Sequence, residues 1–270
     1  AFKVDELHMY DIYAPIVSDV NFSMDYPQAQ QLVIESVHPL GQEYQQILRK
    51  GLTHDRWVDR YENARKRSGA YSSGCYDSSP YILMNFQGTL SDVLTLTHEA
   101  GHSMHTYMSS KHQPYQYAQY PIFLAEVAST FHEELLLRYL MSKASSVEEK
   151  AYLINQKIDD IRATFFRQTL FAEFELKIHQ LVEADIPLTP TLLKEEYRAL
   201  NLKYYGSDLI IDQETDIEWA RIPHFYYNFY VYQYATGLSA SVALVEQVIN
   251  QGESAKERYL KFLSSGCSKY

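Results

Sequence analysis

Val93-Leu94-Thr95-Leu96-Thr97-His98-Glu99-Ala100-Gly101-His102-Ser103-Met104 is the stretch from which the rest of the chain is read. It has the composition of a buried helix into which two imidazoles and a carboxylate have been set. At about 100° per residue, His98, His102 and Glu99 stand at about 0°, 40° and 100° around the helix axis, so all three project into one quadrant. Imidazoles four residues apart can close on one metal ion while the glutamate reaches a remaining, water-filled position. H-E-x-x-H is the pattern in which metalloproteases place these groups. The alternative, a solvated helix face, fits the apolar flanks poorly, because buried imidazoles and a buried carboxylate need partners and a metal supplies one.

A catalytic zinc takes three protein ligands and keeps one position open, so a third ligand is expected from a separate element. The next helical segment offers one in Phe123-Leu124-Ala125-Glu126-Val127-Ala128-Ser129-Thr130, where an unpaired carboxylate would be costly. Glu126 is therefore assigned as the third ligand. Glu133, about two turns on and on the same face, is assigned as the carboxylate that orients a ligand histidine. The competing reading of Glu133 is a solvated glutamate beside Glu134. His105 falls near the stripe of His98 and reads as a stacked core histidine, His112 as a loop residue and His132 as a helix-surface residue. Two imidazoles and a carboxylate suit Zn²⁺, one per chain, although cobalt or manganese fits the same ligands.

Outward from this segment, helical periodicity predicts helices over 89–111, 123–143, 147–184, 190–206, 217–249 and 253–264, with Pro114, Pro121, Pro187 and Pro190 between them. On the N-terminal side, residues 1–24 read as an irregular lead-in and 26–50 as helix broken near Pro39. Residues 51–68 read as charged and turn-like. Gly69–Gly74 and Pro80–Phe86 have strand composition and are predicted to form one small sheet.

At 270 residues with 46% hydrophobic and 21% charged residues, the chain buries enough surface to wall a deep cleft, and it is neither disordered nor fibrous. A net charge of -10 without long runs of like charge argues against nucleic acid or an anionic membrane as partner. No apolar run is long enough to span a bilayer, and the first ten residues lack the order of a signal peptide. Two distant cysteines, Cys75 and Cys267, read as reduced thiols in a cytoplasm. The chain begins without Met and is expected to be part of a longer one. Its 24 tyrosines against 12 phenylalanines, many between Tyr204 and Tyr234, fit a wet, half-buried wall or a simple packing preference.

Three stretches carry a resemblance. The segment from His98 to Tyr107, the stretch Glu126-Val127-Ala128-Ser129-Thr130-Phe131, and Ile222-Pro223-His224-Phe225-Tyr226 leading to Phe229–Gly237 together resemble the oligoendopeptidase F family, among the thimet oligopeptidase-like zinc metallopeptidases. The likeness extends to Asp5–Asp11 and Lys66–Ser72, hence through nearly the whole chain. It implies a mainly helical, zincin-like, two-lobed catalytic domain over residues 1–270, with a small sheet beside the zinc helix and a deep channel that only short peptides enter. It also implies His98, His102 and Glu126 as zinc ligands and Glu99 as general base toward zinc-bound water. His224 matches a histidine that helps stabilise the tetrahedral intermediate. Tyr227, Tyr230 and Tyr234, at helical three and four spacing, are the candidate tyrosines, with Tyr230 placed first and Tyr234 next. In relatives the strand before the zinc helix pairs with the substrate backbone, which nominates Pro80–Phe86, with Ile82 and Met84, and beside it Gly69 and Tyr71.

The expected activity is hydrolysis of internal bonds in short unstructured peptides. Two alternatives stand beside it: a catalytically silent peptide-binding chain, and a carboxypeptidase in which Arg162, Arg167 or Arg221 holds the substrate carboxylate.

Overall fold

Thr89 begins the central helix because its hydroxyl accepts from Asp92 N–H at 3.2 Å while the Asp92 carboxylate accepts from Thr89 N–H at 2.9 Å. The structure, a computed structural model, describes residues 4–14, 16–17 and 22–269. The predicted lead-in over 1–24 thus falls partly outside the described residues. In chain order the elements are β1 (Leu7–His8), α1 (Tyr26–Ser36), α2 (Gln42–Thr53), β2 (Val58–Asp59), β3 (Tyr71–Ser73), β4 (Tyr81–Leu83), α3 (Leu90–His112), α4 (Tyr115–Ala118), α5 (Ile122–Lys143), α6 (Val147–Asp160), α7 (Arg167–Glu183), α8 (Pro190–Tyr205), β5 (Leu209–Ile210), α9 (Tyr232–Gln251) and α10 (Glu253–Leu263). The architecture is mainly helical with a small sheet, as expected. The chain divides into two compact units, one formed by residues 22–153 and 237–269 and the other by 154–236 with the described part of the first 19.

In the first of these units α3 packs mainly against α5. Val93, Leu96, Ala100 and Met104, spaced three or four apart, line its inner face and are fully buried with Phe131 of α5 and Val33 and Ile34 of α1. Gly101 sets how closely α3 and α5 approach, because a β-carbon there would lie 2.6 Å from Ala128 O and 2.7 Å from Ser129 Cα. Overpacking of this kind typically costs about 1–3 kcal/mol. Alanine's helix preference over glycine returns only about 1 kcal/mol. Gly101→Ala is therefore expected to lower the thermal midpoint, and a midpoint equal to or above the unmodified protein's would contradict this packing.

The sheet corrects two expectations. Val58–Asp59, inside the stretch read as turns, pairs in parallel with β4, while β3 pairs with β4 antiparallel, giving the order β2-β4-β3. The strand nominated as an exposed edge is therefore the central one. Ile82 and Met84 are each 1% exposed, and their N–H groups are committed to Trp57 O and Asp59 O. Neither is available to a substrate. The two edges belong to β2 and β3, and on the β3 side Tyr71 is exposed.

In the other unit, Leu170, Phe171, Phe174, Tyr197, Ile222 and Val231 form the core, and β1 pairs in parallel with β5. The helix predicted over 147–184 contains a π-helical stretch, Ile161–Phe166. The helix predicted over 217–249 starts only at Tyr232, because Gln213–Arg221 and Pro223–Tyr226 are 3₁₀ turns and Phe229 takes a left-handed backbone at φ 57°. Glu218 ties this region together: it accepts from Arg167 at 2.6 Å, from Tyr197 Oη at 2.7 Å and from Arg221 at 2.5 Å. Burial opposes the charge, but these donors and cations hold the carboxyl below its usual range. Its contribution to stability is thus fully present above the unfolded value of about 4.3 and is lost as pH falls through the lower folded value. The difference in unfolding midpoint between unmodified protein and Glu218→Gln should be widest near neutrality and close under acid. A difference that grows as pH falls would overturn this assignment.

Candidate active site

His98, Glu99 and His102 lie on α3, and Glu126 and Glu133 on the facing α5. The close approach at Gly101 brings the two sets together. His98 Nε2 and His102 Nε2 are 3.2 Å apart, and Glu126 Oε2 lies 3.3 Å from the first and 3.6 Å from the second. A tetrahedral ion with bonds of 2.0–2.2 Å holds its ligand atoms about 3.4 Å apart, so the three donors already sit on the corners such an ion requires. Among the described residues this is the one group of three His, Cys, Asp or Glu side chains so arranged. The donor set therefore fits Zn²⁺.

The remaining groups support this arrangement. His98 Nδ1 donates to Glu133 Oε1, which orients the ring so that Nε2 faces the other donors. Burial works against ionisation of Glu126, yet hydrogen bonds to His102 and His98 hold its carboxyl well below the usual range, so it stands ready as an anion. Loss of such an outer carboxylate typically lowers metal affinity about 10–100-fold. Glu133→Gln is expected to do so with the helix intact, and unchanged affinity would assign Glu133 to the solvated alternative.

Glu99 is 7% exposed and shares a cavity of about 370 Å³ with His98, Glu133, Ala70, Ser91, Leu94 and Thr95. Burial raises its pKa, partly offset by the two histidines and by a hydrogen bond from Ser72 N–H. Ser72 was not singled out from the sequence. Its N–H turns the outer edge of β3 toward Glu99, and its hydroxyl lies 2.8 Å from Ser103 Oγ, which anchors the strand to α3. The small residue Ser103 directly after the motif is the signal that points to this contact.

The rival histidines separate cleanly. His105, 1% exposed, stacks on Tyr120 at 3.6 Å, and burial pushes its pKa down to about 3. His112 is exposed at the end of α3 and bonds Met108 O. His132 is not on the surface as expected: it is fully buried, 2.7 Å from Tyr44 Oη, and burial likewise lowers its pKa to about 3.

In the other unit, His224 stands in the 3₁₀ turn Pro223–Tyr226 with Tyr234 Oη 3.3 Å from its Nε2. The Tyr230 ring lies 5.4 Å from His224 and 5.5 Å from Tyr234, and Tyr227 lies 6.4 Å from Tyr230. Tyr227 and Tyr230 do not share a helical face with Tyr234, because only Tyr234 lies in α9. A loop gathers the rings instead. Glu175, 2% exposed, holds that loop by accepting from Phe229 N–H at 2.7 Å. Of the arginines considered for a terminal carboxylate, Arg162 is within 3.4 Å of Asp159, and Arg167 and Arg221 are committed to Glu218. Each already has a carboxylate.

Comparison with known proteins finds relatives over nearly the whole chain. Oligopeptidase PepF of Bacillus subtilis (strain 168) is 50% identical over 268 residues, which is 99% of this chain and 40% of that protein. A solved chain from Chlamydophila abortus superposes with a TM-score of 0.84 at 50% identity, covering 99% of this chain and 44% of that one. Oligoendopeptidase-F of Enterococcus faecium does so with a TM-score of 0.69 at 36% identity, covering 97% and 39%. The chain thus spans less than half the length of these relatives. The description of peptidase family M3 matches all of residues 1–270, and the chain belongs to that family.

Proposed function

We propose that this chain is the catalytic region of a zinc endopeptidase that cleaves internal bonds of short, unstructured oligopeptides. The observation that carries the reading is the tetrahedral spacing of the His98, His102 and Glu126 donors with Glu99 alongside. The oligopeptidase names of its relatives support the substrate class. When bound at those donors, Zn²⁺ lowers the pKa of a coordinated water toward about 7 and polarises a carbonyl.

Glu99 takes the proton from the attacking water as the bond from oxygen to the carbonyl carbon forms. Its raised pKa suits it to hold that proton and then deliver it to the leaving amine as the C–N bond breaks. Ser72 N–H fixes the carboxylate, and Glu133 fixes the tautomer and tilt of His98. His224 and Tyr230, with Tyr234 and Tyr227 after them, are proposed from the family resemblance as donors to the developing oxyanion. Such donors are typically worth about 3 kcal/mol each. The outer edge of β3 is proposed to pair with the substrate backbone, with Gly69 and Tyr71 beside it.

Among the described residues no helix is long and apolar enough to cross a membrane, and Cys75 and Cys267 are both free. A cytoplasmic place for the enzyme is proposed on the family resemblance alone. The test is cleavage of a short internally quenched peptide before and after chelation. Loss of cleavage on chelation and recovery with Zn²⁺, with a folded protein left uncut, is the expected result. Cleavage that survives complete metal removal would overturn the reading.

A further inference from the structure

Against a net charge of -10, the loop that feeds β3 is basic: Arg60-Tyr61-Glu62-Asn63-Ala64-Arg65-Lys66-Arg67-Ser68-Gly69. Most of its charges have partners. Lys66 Nζ, on a side chain 4% exposed, is 3.2 Å from Asp59 Oδ1 and donates to Asp59 O and Tyr61 O. Arg60 lies over the Tyr26 ring at 4.6 Å, and Glu62 accepts from Gln87 Nε2. Arg65 and Arg67 are exposed, and among the described residues neither guanidinium has an ion-pair or hydrogen-bond partner.

The loop that carries them is held in place. Asn85 Nδ2 donates to Arg67 O at 2.9 Å and to Gly69 O at 3.1 Å. Arg65 itself sits in the left-handed region at φ 71°, a posture that persists where the surroundings impose it. Gly69 lines a polar cavity with Lys66 and Asn85, and the next residue, Ala70, lines the cavity that holds His98 and Glu99. Two residues further, Ser72 N–H meets the Glu99 carboxylate. Two guanidiniums without partners therefore stand at the head of the strand edge that meets the general base.

We propose that Arg65 and Arg67 bind a carboxylate of the peptide substrate, on the stretch that follows the scissile bond. This rests on the endopeptidase reading above. A peptide added to β3 in the antiparallel sense, the slightly more stable ladder, runs its C-terminal side back toward Gly69 and the loop. Arg67 stands five positions before Ser72, so at about 3.3 Å per extended residue the recognised carboxylate lies some three to five residues beyond the cut. Guanidinium suits this task because its planar fork meets a carboxylate through two hydrogen bonds. The carboxylate belongs either to an acidic side chain or to the peptide's own C-terminus.

The test uses the protein at its full natural length and quenched peptides that differ only in Glu, Gln or Lys after the cut, each with a free or an amidated C-terminus. The Glu peptides should exceed their Lys counterparts about three- to tenfold in kcat/KM through KM, with the ratio falling as salt rises. A drop on amidation alone would assign the recognition to the terminal carboxylate, and a drop on Glu→Gln alone to the side chain. The double variant Arg65→Ala/Arg67→Ala should bring the ratio toward one. Arg65→Glu/Arg67→Glu should reverse it in favour of Lys, an outcome that misfolding cannot produce. Rates indifferent both to the charge after the cut and to amidation, a preference unmoved by these variants, or a preference for acid before the cut would each overturn the proposal while leaving the endopeptidase reading in place. Failure to cut any of the peptides would remove both.

Discussion

Glu99→Gln should lower kcat by about 10²–10⁴-fold, the range that a positioned general base supplies, while the protein keeps its zinc. The substitution preserves volume at a site 7% exposed and keeps an oxygen to accept from Ser72 N–H, so the cavity that Glu99 shares with His98 and Glu133 should persist. What it removes is the proton acceptor. The loss should appear in kcat rather than in KM, because proton transfer acts in the transition state and not in binding. Steady-state cleavage of a quenched peptide, with zinc content measured on the same samples, separates the outcomes. Loss of activity together with the metal would mean that Glu99 supports the metal site, and retained activity would mean that another group is the base.

Glu126→Gln should have the second large effect, on metal affinity. Glu126 is 6% exposed and its carboxylate lies between the two imidazoles. Replacing it with an amide removes the anionic member of a three-ligand set while leaving an oxygen that can still accept from Ser129 Oγ, now 3.1 Å away. The fall in zinc affinity should exceed the roughly 10–100-fold expected for losing an outer partner such as Glu133. Competition with a chromophoric chelator measures it. An affinity equal to that of the unmodified protein would place the third ligand elsewhere.

The grouping of His98, His102 and Glu126 was legible in the sequence because it follows from helix periodicity. His98 and His102 face one way by their spacing, Glu126 is exceptional as a carboxylate in an apolar run, and Glu133 follows it at two turns. The edge strand was not legible for a physical reason. Val58–Asp59 is only two residues long and lies among charges, so it has no alternation to read, yet its pairing makes β4 the central strand. His132 was misplaced because α5 is buried on more than one face. The hydroxyl that satisfies it, Tyr44 Oη, comes from a residue 88 positions away. The tyrosine cluster was found through the wrong geometry. Periodicity continued across Pro223 and Phe229, but a 3₁₀ turn and a left-handed residue interrupt the chain there, and the rings meet through a loop held by Glu175. Single long helices write their faces into sequence, whereas contacts between distant short segments do not.

If His98, His102 and Glu126 hold one zinc ion, anomalous diffraction at the zinc edge from crystals of the zinc-loaded protein will locate it. The predicted result is one peak per chain, about 2.1 Å from His98 Nε2, His102 Nε2 and Glu126 Oε2. A peak on other ligands, or zinc-dependent activity with no peak at these three atoms, would contradict it.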